Sequence, residues 1–540
     1  VSLVATWVQR GALSAGPAGR AAPAPATHDL DAATQVEGAL APLGDHARAA
    51  VELAALLGPD VDLEEWEAVL PPESTDRSAA VVVLEDLRLV EPTDRGFRFT
   101  PAACEAVRAL ARRHGRYDGL RRRAWAFLEA RGRALRDAGR VVAASSVLGR
   151  AHALAESDAE RLKVEARWVD ALWQEGRNEP AAALAETARA RPGGDPVDRA
   201  ILEGHAANLC YGDGRWSEAR AGWARAIEQH RAVGRDRSVR LHQRNLAVLD
   251  QVQGKLDVSA ESLIALARAE EAAGDAAGAA LSRARLTRTL LVGAQRVDGR
   301  RAAAARAAAA EATSGPLPPV AGLFLRTDLA CLREDADGDA ASALADYAEV
   351  LAALLDLGQV QAAAPVAGEW ALISARRGRL DAAVAEISQY TDHVRVRSAG
   401  LLTRVAVDTL LALVRCAAGD WDGALAVARP TLEIVGRLGA ATGTVDLHLV
   451  VARCEAGRGQ EREAWAALAA AQERVDALGW TVASAEVAAV SGLVALRFGR
   501  AEAAALAEAR ARALCASGAA LPHGAARRAL ADLEDARARS

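Results

Sequence analysis

The chain has 540 residues, 51% hydrophobic but only 4% aromatic, and its 66 basic and 71 acidic side chains leave a formal net charge of −5. That balance supplies no general attraction for nucleic acid, and no apolar run reaches the ~18 residues needed to cross a bilayer. Six cysteines stand singly (Cys104, Cys210, Cys331, Cys416, Cys454, Cys515), without a Cys-x-x-Cys pair, and read as buried reduced thiols of a cytoplasmic protein.

Abundant Ala, Leu, Glu and Arg favour helix, because alanine loses no side-chain entropy on entering one. The chain holds no methionine and starts at Val1; an alternative start codon and a piece of a longer protein both fit. Residues 1–44 form an apolar N-terminal segment and an Ala/Pro-rich linker centred on Gly16–Pro25. A small domain is expected over 45–120. Its first helix, Ala49–Leu57, stops at Gly58-Pro59, and its second starts at Asp62 with acids in the first turn. A third spans Arg77–Leu87, and strands Leu89–Pro92 and Phe97–Thr100 flank the Thr93–Gly96 hairpin. Three helices followed by a β-wing is the winged-helix order. The third helix offers no Asn, Gln or Lys to base edges, and Glu85-Asp86 repels phosphate, so no direct nucleic-acid contact is expected.

From 121 to 520 a glycine-centred turn recurs about every forty residues. It is marked by Gly139, Gly176, Gly214 and Gly254, then by Gly338, Gly378, Gly419, Gly459 and Gly499; one unmarked unit is expected near Arg296. Seven residues before the turn stand Gly132, Ala207, Ala247, Cys331, Ala371, Ala412, Ala452 and Gly492. Five after it stand Ala144, Ala181, Ala219, Ala343, Ala383, Ala424, Ala464 and Ala504. Small residues straddling a turn let two antiparallel helices pack closely. Each unit therefore reads as helix A, turn, helix B and a second turn, seen at 192–196, 315–318, Leu357-Gly358, Leu438-Gly439 and Leu478-Gly479. Asp335, Asp337 and Asp339 lie at one turn, as a solvated cap rather than a calcium site. Residues 521–540 read as a charged capping helix.

The segment Arg244-Asn245-Leu246-Ala247, followed by Gln253-Gly254-Lys255-Leu256-Asp257, resembles a tetratricopeptide repeat, with Trp216 and Trp421 in the family's aromatic turn position. The resemblance covers about residues 125–520 and implies an all-α fold. That fold is an α/α superhelix of about ten hairpins, preceded by the winged-helix domain, with A helices lining a concave groove. Asn208, Arg244 and Asn245 fall where that family faces its groove or positions peptide-binding side chains. Arg285 and Arg288 share one helical face, and Arg326 opens the next unit; such arginines hold carboxylates bidentately. These six are the candidate ligand or peptide contacts.

The order of parts is similar to that following the nucleotide-binding core of bacterial signal-transduction ATPases, whose last core helix Val1–Leu13 resembles. The phosphate loop of such a core is absent, since Lys163 follows Leu162 and Lys255 precedes Leu256. No metal-ligand spacing and no nucleophile elbow occurs, so no cofactor, metal or enzymatic activity is expected. The expected function is a non-catalytic scaffold or sensor that mediates protein–peptide interaction in bacterial signalling or transcriptional regulation. The alternative is the effector-sensing half of a signal-transduction ATPase, split from or truncated relative to its core, with an inducer in the superhelix. An upstream ATPase or kinase domain is then a further partner.

Overall fold

The computed structural model describes residues 34–539 apart from 35, 39, 42, 71–80, 82–83, 86–88, 386 and 389–399. The chain forms two compact units. The smaller runs to Ala171 and adds Glu186–Asp198; the larger joins Leu172–Ala185 to the residues from Arg199 onward.

In the smaller unit, α1 (Asp45–Leu57) buries nearly its whole circumference from Ala50 to Leu57. Asp62 caps α2 (Leu63–Val69), accepting from the backbone N–H of Glu64 at 2.9 Å and of Glu65 at 3.3 Å. Three antiparallel strands, β1 (Asp60–Asp62), β2 (Val90–Thr93) and β3 (Gly96–Phe99), pair in the order β1-β3-β2. The sequence signals β2 and β3 to within a residue but not β1. That short strand fits against β3 because Gly96 has no side chain: a Cβ there would lie 2.0 Å from the Val61 carbonyl oxygen. Trp66, Phe97 and Phe99 meet edge to face, and Trp66 Nε1 donates to the Ala50 carbonyl at 2.9 Å. Most of the expected third helix, Arg77–Leu87, and all of Val1–Leu13 and the Gly16–Pro25 linker lie outside the described residues.

Helices α3 (Pro101–Arg113), α4 (Tyr117–Asp137) and α5 (Val141–Leu154) follow. The apolar core that begins with Leu53 and Trp66 continues through Leu128 and Leu148 to Val164, so no break in packing marks residue 120.

Next come α6 (Asp158–Gln174) and α7 (Asn178–Ala190). The larger unit then stacks antiparallel hairpins. α8 (Pro196–Gly212) pairs with α9 (Trp216–Ala232), α10 (Asp236–Val252) with α11 (Leu256–Ala272), and α12 (Ala276–Arg296) with α13 (Arg301–Thr313). α14 (Pro319–Leu332) pairs with α15 (Ala340–Asp356), and α16 (Val360–Arg376) precedes a helix described at 380–385 and 387–388. α17 (Leu401–Ala417) pairs with α18 (Trp421–Leu438), α19 (Ala441–Gly457) with α20 (Glu461–Leu478), and α21 (Thr481–Arg497) with α22 (Ala501–Leu514). α23 (Ala525–Arg539) closes the stack, burying Ala526, Ala529, Leu530 and Leu533.

All nine turn glycines of the forty-residue rhythm have a left-handed backbone, with φ between 70° and 89°. Gly234 and Gly274 do the same at B-helix ends that the sequence left unmarked. The unit without a glycine signal turns at 297–300, after a 21-residue α12. The residues five after the nine turn glycines are fully buried, eight of them alanine and the ninth Ser259. Two of the preceding small positions are glycines for want of room. A Cβ on Gly132 would stand 2.7 Å from Leu148, and one on Gly492 would stand 2.4 Å from Leu533.

The larger unit also touches itself across long stretches of chain. Gln361 Nε2 donates to Asn178 Oδ1 at 3.0 Å, and Arg296 pairs with Asp446 at 2.8 Å and Glu486 at 3.6 Å. Arg528 pairs with Asp335 at 2.9 Å. Partners are 150 to 193 residues apart, so the stack returns upon itself after four or five repeats. These contacts correct one expectation. Asp335 is buried and held by Arg528 and Gln295, whereas only Asp339 acts as a cap, accepting from the N–H of Ser342 at 3.1 Å. All six cysteines are free and buried.

Candidate functional site

Within the larger unit, two arginines of one A helix keep contact with solvent. That helix is α12. Asp275 caps that helix by accepting from the N–H of Gly278 at 3.0 Å, and Leu286, Leu291 and Ala294 bury one face. Arg285 and Arg288 project from another, one turn apart, and both remain exposed.

The two arginines differ in their partners. Arg288 donates to Asp328 of α14 at 3.0 Å; burial works against its charge, but Asp328 foremost, with Cys331 and Glu369, holds it above the usual arginine range. Asp328 is raised by its own burial, which Arg288 and Arg285 oppose. Arg285 makes no ion pair and no side-chain hydrogen bond among the described residues; its guanidinium stands 5.8 Å from the Phe324 ring centroid. Burial pushes Arg285 below its usual range, with Tyr211 and Asp328 opposing the shift.

Glu369 of α16 is a second charged residue of an A helix. It is half-buried and, like Arg285, has no ion pair or side-chain hydrogen bond among the described residues. Burial raises its carboxyl above the usual range, opposed by Arg288 and Arg376. Further along, Arg296 of α12 bridges Asp446 of α19 and Glu486 of α21, which satisfies all three charges.

Of the six residues singled out in the sequence, the fold brings Arg285 and Arg288 together on α12. Asn208 and Asn245 serve packing: Asn208 Oδ1 accepts from Trp223 Nε1 at 2.9 Å and from Asn245 Nδ2 at 3.3 Å. Arg244 is buried in an ion pair with Glu270, which also accepts from Ser282 Oγ at 2.6 Å, so its guanidinium faces α11 rather than open space. Arg326 is taken up by Asp346 at 2.9 Å and by Glu349. Tyr211, Asp328 and Glu369 were missed. A signal for two of them exists: an acid nine or ten residues before the turn glycine breaks an otherwise apolar or small helix face at Asp328 and Glu369.

A separate cleft of about 300 Å³ is lined by Cys416, Trp421, Arg453, Ala456, Gly457, Leu493, Val494 and Arg497. The neighbouring Cys454 lowers the pKa of the Cys416 thiol there, against the effect of burial. Arg285, Arg288 and Glu369 are not among its lining residues.

No family model matches the sequence, and no curated protein does. Solved structures similar to the chain are helical proteins of low identity. A Rap protein in complex with competence and sporulation factor is 11% identical with a TM-score of 0.36, covering 76% of this chain and 99% of its own. A signal-transduction ATPase with numerous domains and a tetratricopeptide repeat sensor, from Pyrococcus horikoshii, is 9% identical with a TM-score of 0.37, covering 91% of this chain and 66% of its own. Human IFIT1 with m7Gppp-AAAA is 14% identical with a TM-score of 0.40, covering 70% of this chain and 81% of its own.

Proposed function

We propose that this chain is a non-catalytic binding protein, a tetratricopeptide-type scaffold or sensor of bacterial cytoplasmic signalling. Its A-helix surface around Arg285 and Arg288 receives a protein or peptide segment. The observation that carries the reading is the contrast between two kinds of arginine. Arg244 and Arg326 are consumed by internal acids, whereas Arg285 is exposed and, among the described residues, makes no ion pair. A guanidinium fork in such a place binds a planar anion in two parallel hydrogen bonds. The helix-and-sheet head fits a winged-helix module that packs rather than reads DNA, and no described helix is long and apolar enough to cross a membrane.

A second reading is the effector-sensing half of a signal-transduction ATPase, taking a small inducer at the same residues. Affinity capture from cytosol with the wild-type chain and Arg285→Ala separates the two. A protein or peptide retained by the wild type and lost from the variant supports the scaffold. A small molecule retained and lost in the same way supports the sensor. Equal retention by both proteins removes the site from either reading. Because Arg285 holds no internal partner, its truncation is expected to leave the melting temperature unchanged.

A further inference from the structure

One cleft of the larger unit lies apart from the arginines of α12. It opens at the C-terminal ends of three successive A helices, α17, α19 and α21, and holds about 300 Å³. Its lining combines three kinds of chemistry: the Cys416 thiol, the Arg453 and Arg497 guanidiniums, and the apolar Trp421, Leu493 and Val494. The Trp421 ring lies against Gly457, where a Cβ would stand 2.6 Å from its Cε2. A second cysteine, Cys454, sits on α19, which packs against α17, and belongs to the same apolar core as Cys416. Independently of the reading around Arg285, we infer that this cleft takes a small organic disulfide bearing a carboxylate, which Cys416 and Cys454 reduce in two steps.

The arginines set the charge of the ligand. A helix C-terminus carries a partial negative charge, so three of them side by side repel an anion unless cations intervene. Arg497 donates to the Gly457 carbonyl at 3.4 Å and makes no ion pair among the described residues. Arg453 approaches the exposed Asp532 only at 4.0 Å. Both guanidiniums therefore keep donors for a carboxylate, in the forked geometry that such a group accepts. The volume stands at the small end of ligand sites, roughly 300–1,000 Å³, and suits one small molecule whose apolar body rests on Trp421.

The cysteines set the reaction. Cys416 alone of the six lines the cleft, which makes it the attacking thiol. Cys454 favours its thiolate by lowering its pKa against burial, and Arg453 adds to the effect. Cys454 is itself pushed up, by Cys416 first and then by burial, and so stays protonated while Cys416 attacks. Cys416 Sγ attacks one sulfur of the ligand; a protein–ligand disulfide forms, the ligand's S–S bond breaks, and one half leaves as a thiolate. Cys454 Sγ, as a thiolate, then attacks Cys416 Sγ, forming the Cys416–Cys454 disulfide and expelling the second half. The ligand is reduced by two electrons to two thiols, which take up the two cysteine protons, and the cysteine pair is oxidised by the same two electrons.

Dithiobis(nitrobenzoate), an aromatic disulfide with a carboxylate on each ring, is the probe, and neutral dithiodipyridine is its control. Added to the native full chain, the probe should release two coloured thiolates per chain and leave the protein lighter by two hydrogens. Peptide mapping should then find Cys416 joined to Cys454. Cys416→Ser should release none, because the other thiols are buried and do not line the cleft. Cys454→Ser should release one and hold the other half as a mixed disulfide. Arg497→Ala should slow the probe about tenfold and leave dithiodipyridine as fast as before. No release from the native wild type, release from Cys416→Ser, or equal slowing of both disulfides by Arg497→Ala overturns the inference. Where Cys454→Ser fails to fold, the mapped disulfide of the wild type decides alone, and any pairing other than Cys416 with Cys454 overturns it.

Discussion

His242 shows what enclosure does to a single residue of this repeat stack. It is 4% exposed, its ring stacks on His230 at 5.4 Å, and it fills the space opposite Gly204, where a Cβ would come within 2.3 Å of its Cε1. Burial first, then His230, His205 and Arg244, push its pKa down to about 3 from an ordinary 6.5. Above the ordinary value the ring is neutral in the folded and unfolded chain alike, and it contributes no pH dependence. Below it the unfolded chain takes up a proton that the folded chain refuses until the pKa near 3 is reached. Stability is therefore lost on acidification through that window, by about 1.4 kcal/mol per pH unit from this group. Denaturant unfolding of the wild type and His242→Gln at several pH values between about 6 and 4 should show a shallower acid slope in the variant. Equal slopes would mean that the ring is protonated in the fold.

At the scale of the helix, the closing element is the most exacting. α23 lays Leu533 and Leu530 against α21, and the contact at Leu533 exists only because residue 492 is glycine. A terminal helix with an apolar inner and charged outer face keeps the last repeat from exposing its core. Leu533 is fully buried, so Leu533→Ala should cost about 2–5 kcal/mol, locally. Hydrogen exchange should quicken in α21 to α23 and stay unchanged in α8 and α9; uniform loss of protection would contradict this. The hairpins themselves were legible in the sequence because their requirements are local. A left-handed turn asks for glycine, and two close helices ask for alanine at fixed offsets. The binding surface was only half legible. Arg244 and Arg285 look alike on a helical wheel, yet one meets Glu270 and the other meets solvent. What separates them is whether an acid of the following helix reaches back: Glu270 of α11 meets Arg244, and among the described residues no acid pairs with Arg285. The wheel of a single helix does not contain that information. The edge strand β1 was missed for a related reason, since only its pairing with Phe97 makes Asp60–Asp62 a strand.

For the whole molecule, the decisive point is that its largest hydrophobic cores lie in different units. One is built from Leu53, Trp66, Phe97, Leu128 and Leu148 and belongs wholly to the smaller unit. Another runs from Ala207 and Trp223 through Val450 and Trp480 to Leu530 and belongs wholly to the larger. Cooperative unfolding extends as far as shared packing does, and stacked repeats are stabilised by intrinsic and nearest-neighbour terms. The chain should therefore unfold in two calorimetric transitions. Trp66 assigns them: it is 1% exposed, donates to the Ala50 carbonyl and packs on Phe97, so Trp66→Ala removes about 3–5 kcal/mol from the smaller unit alone. One transition should move to lower temperature while the other keeps its midpoint and enthalpy. A single transition that shifts as a whole would show that the two cores are energetically one. The helices α6 and α8, through which the boundary between the units passes, would then transmit unfolding from one core to the other.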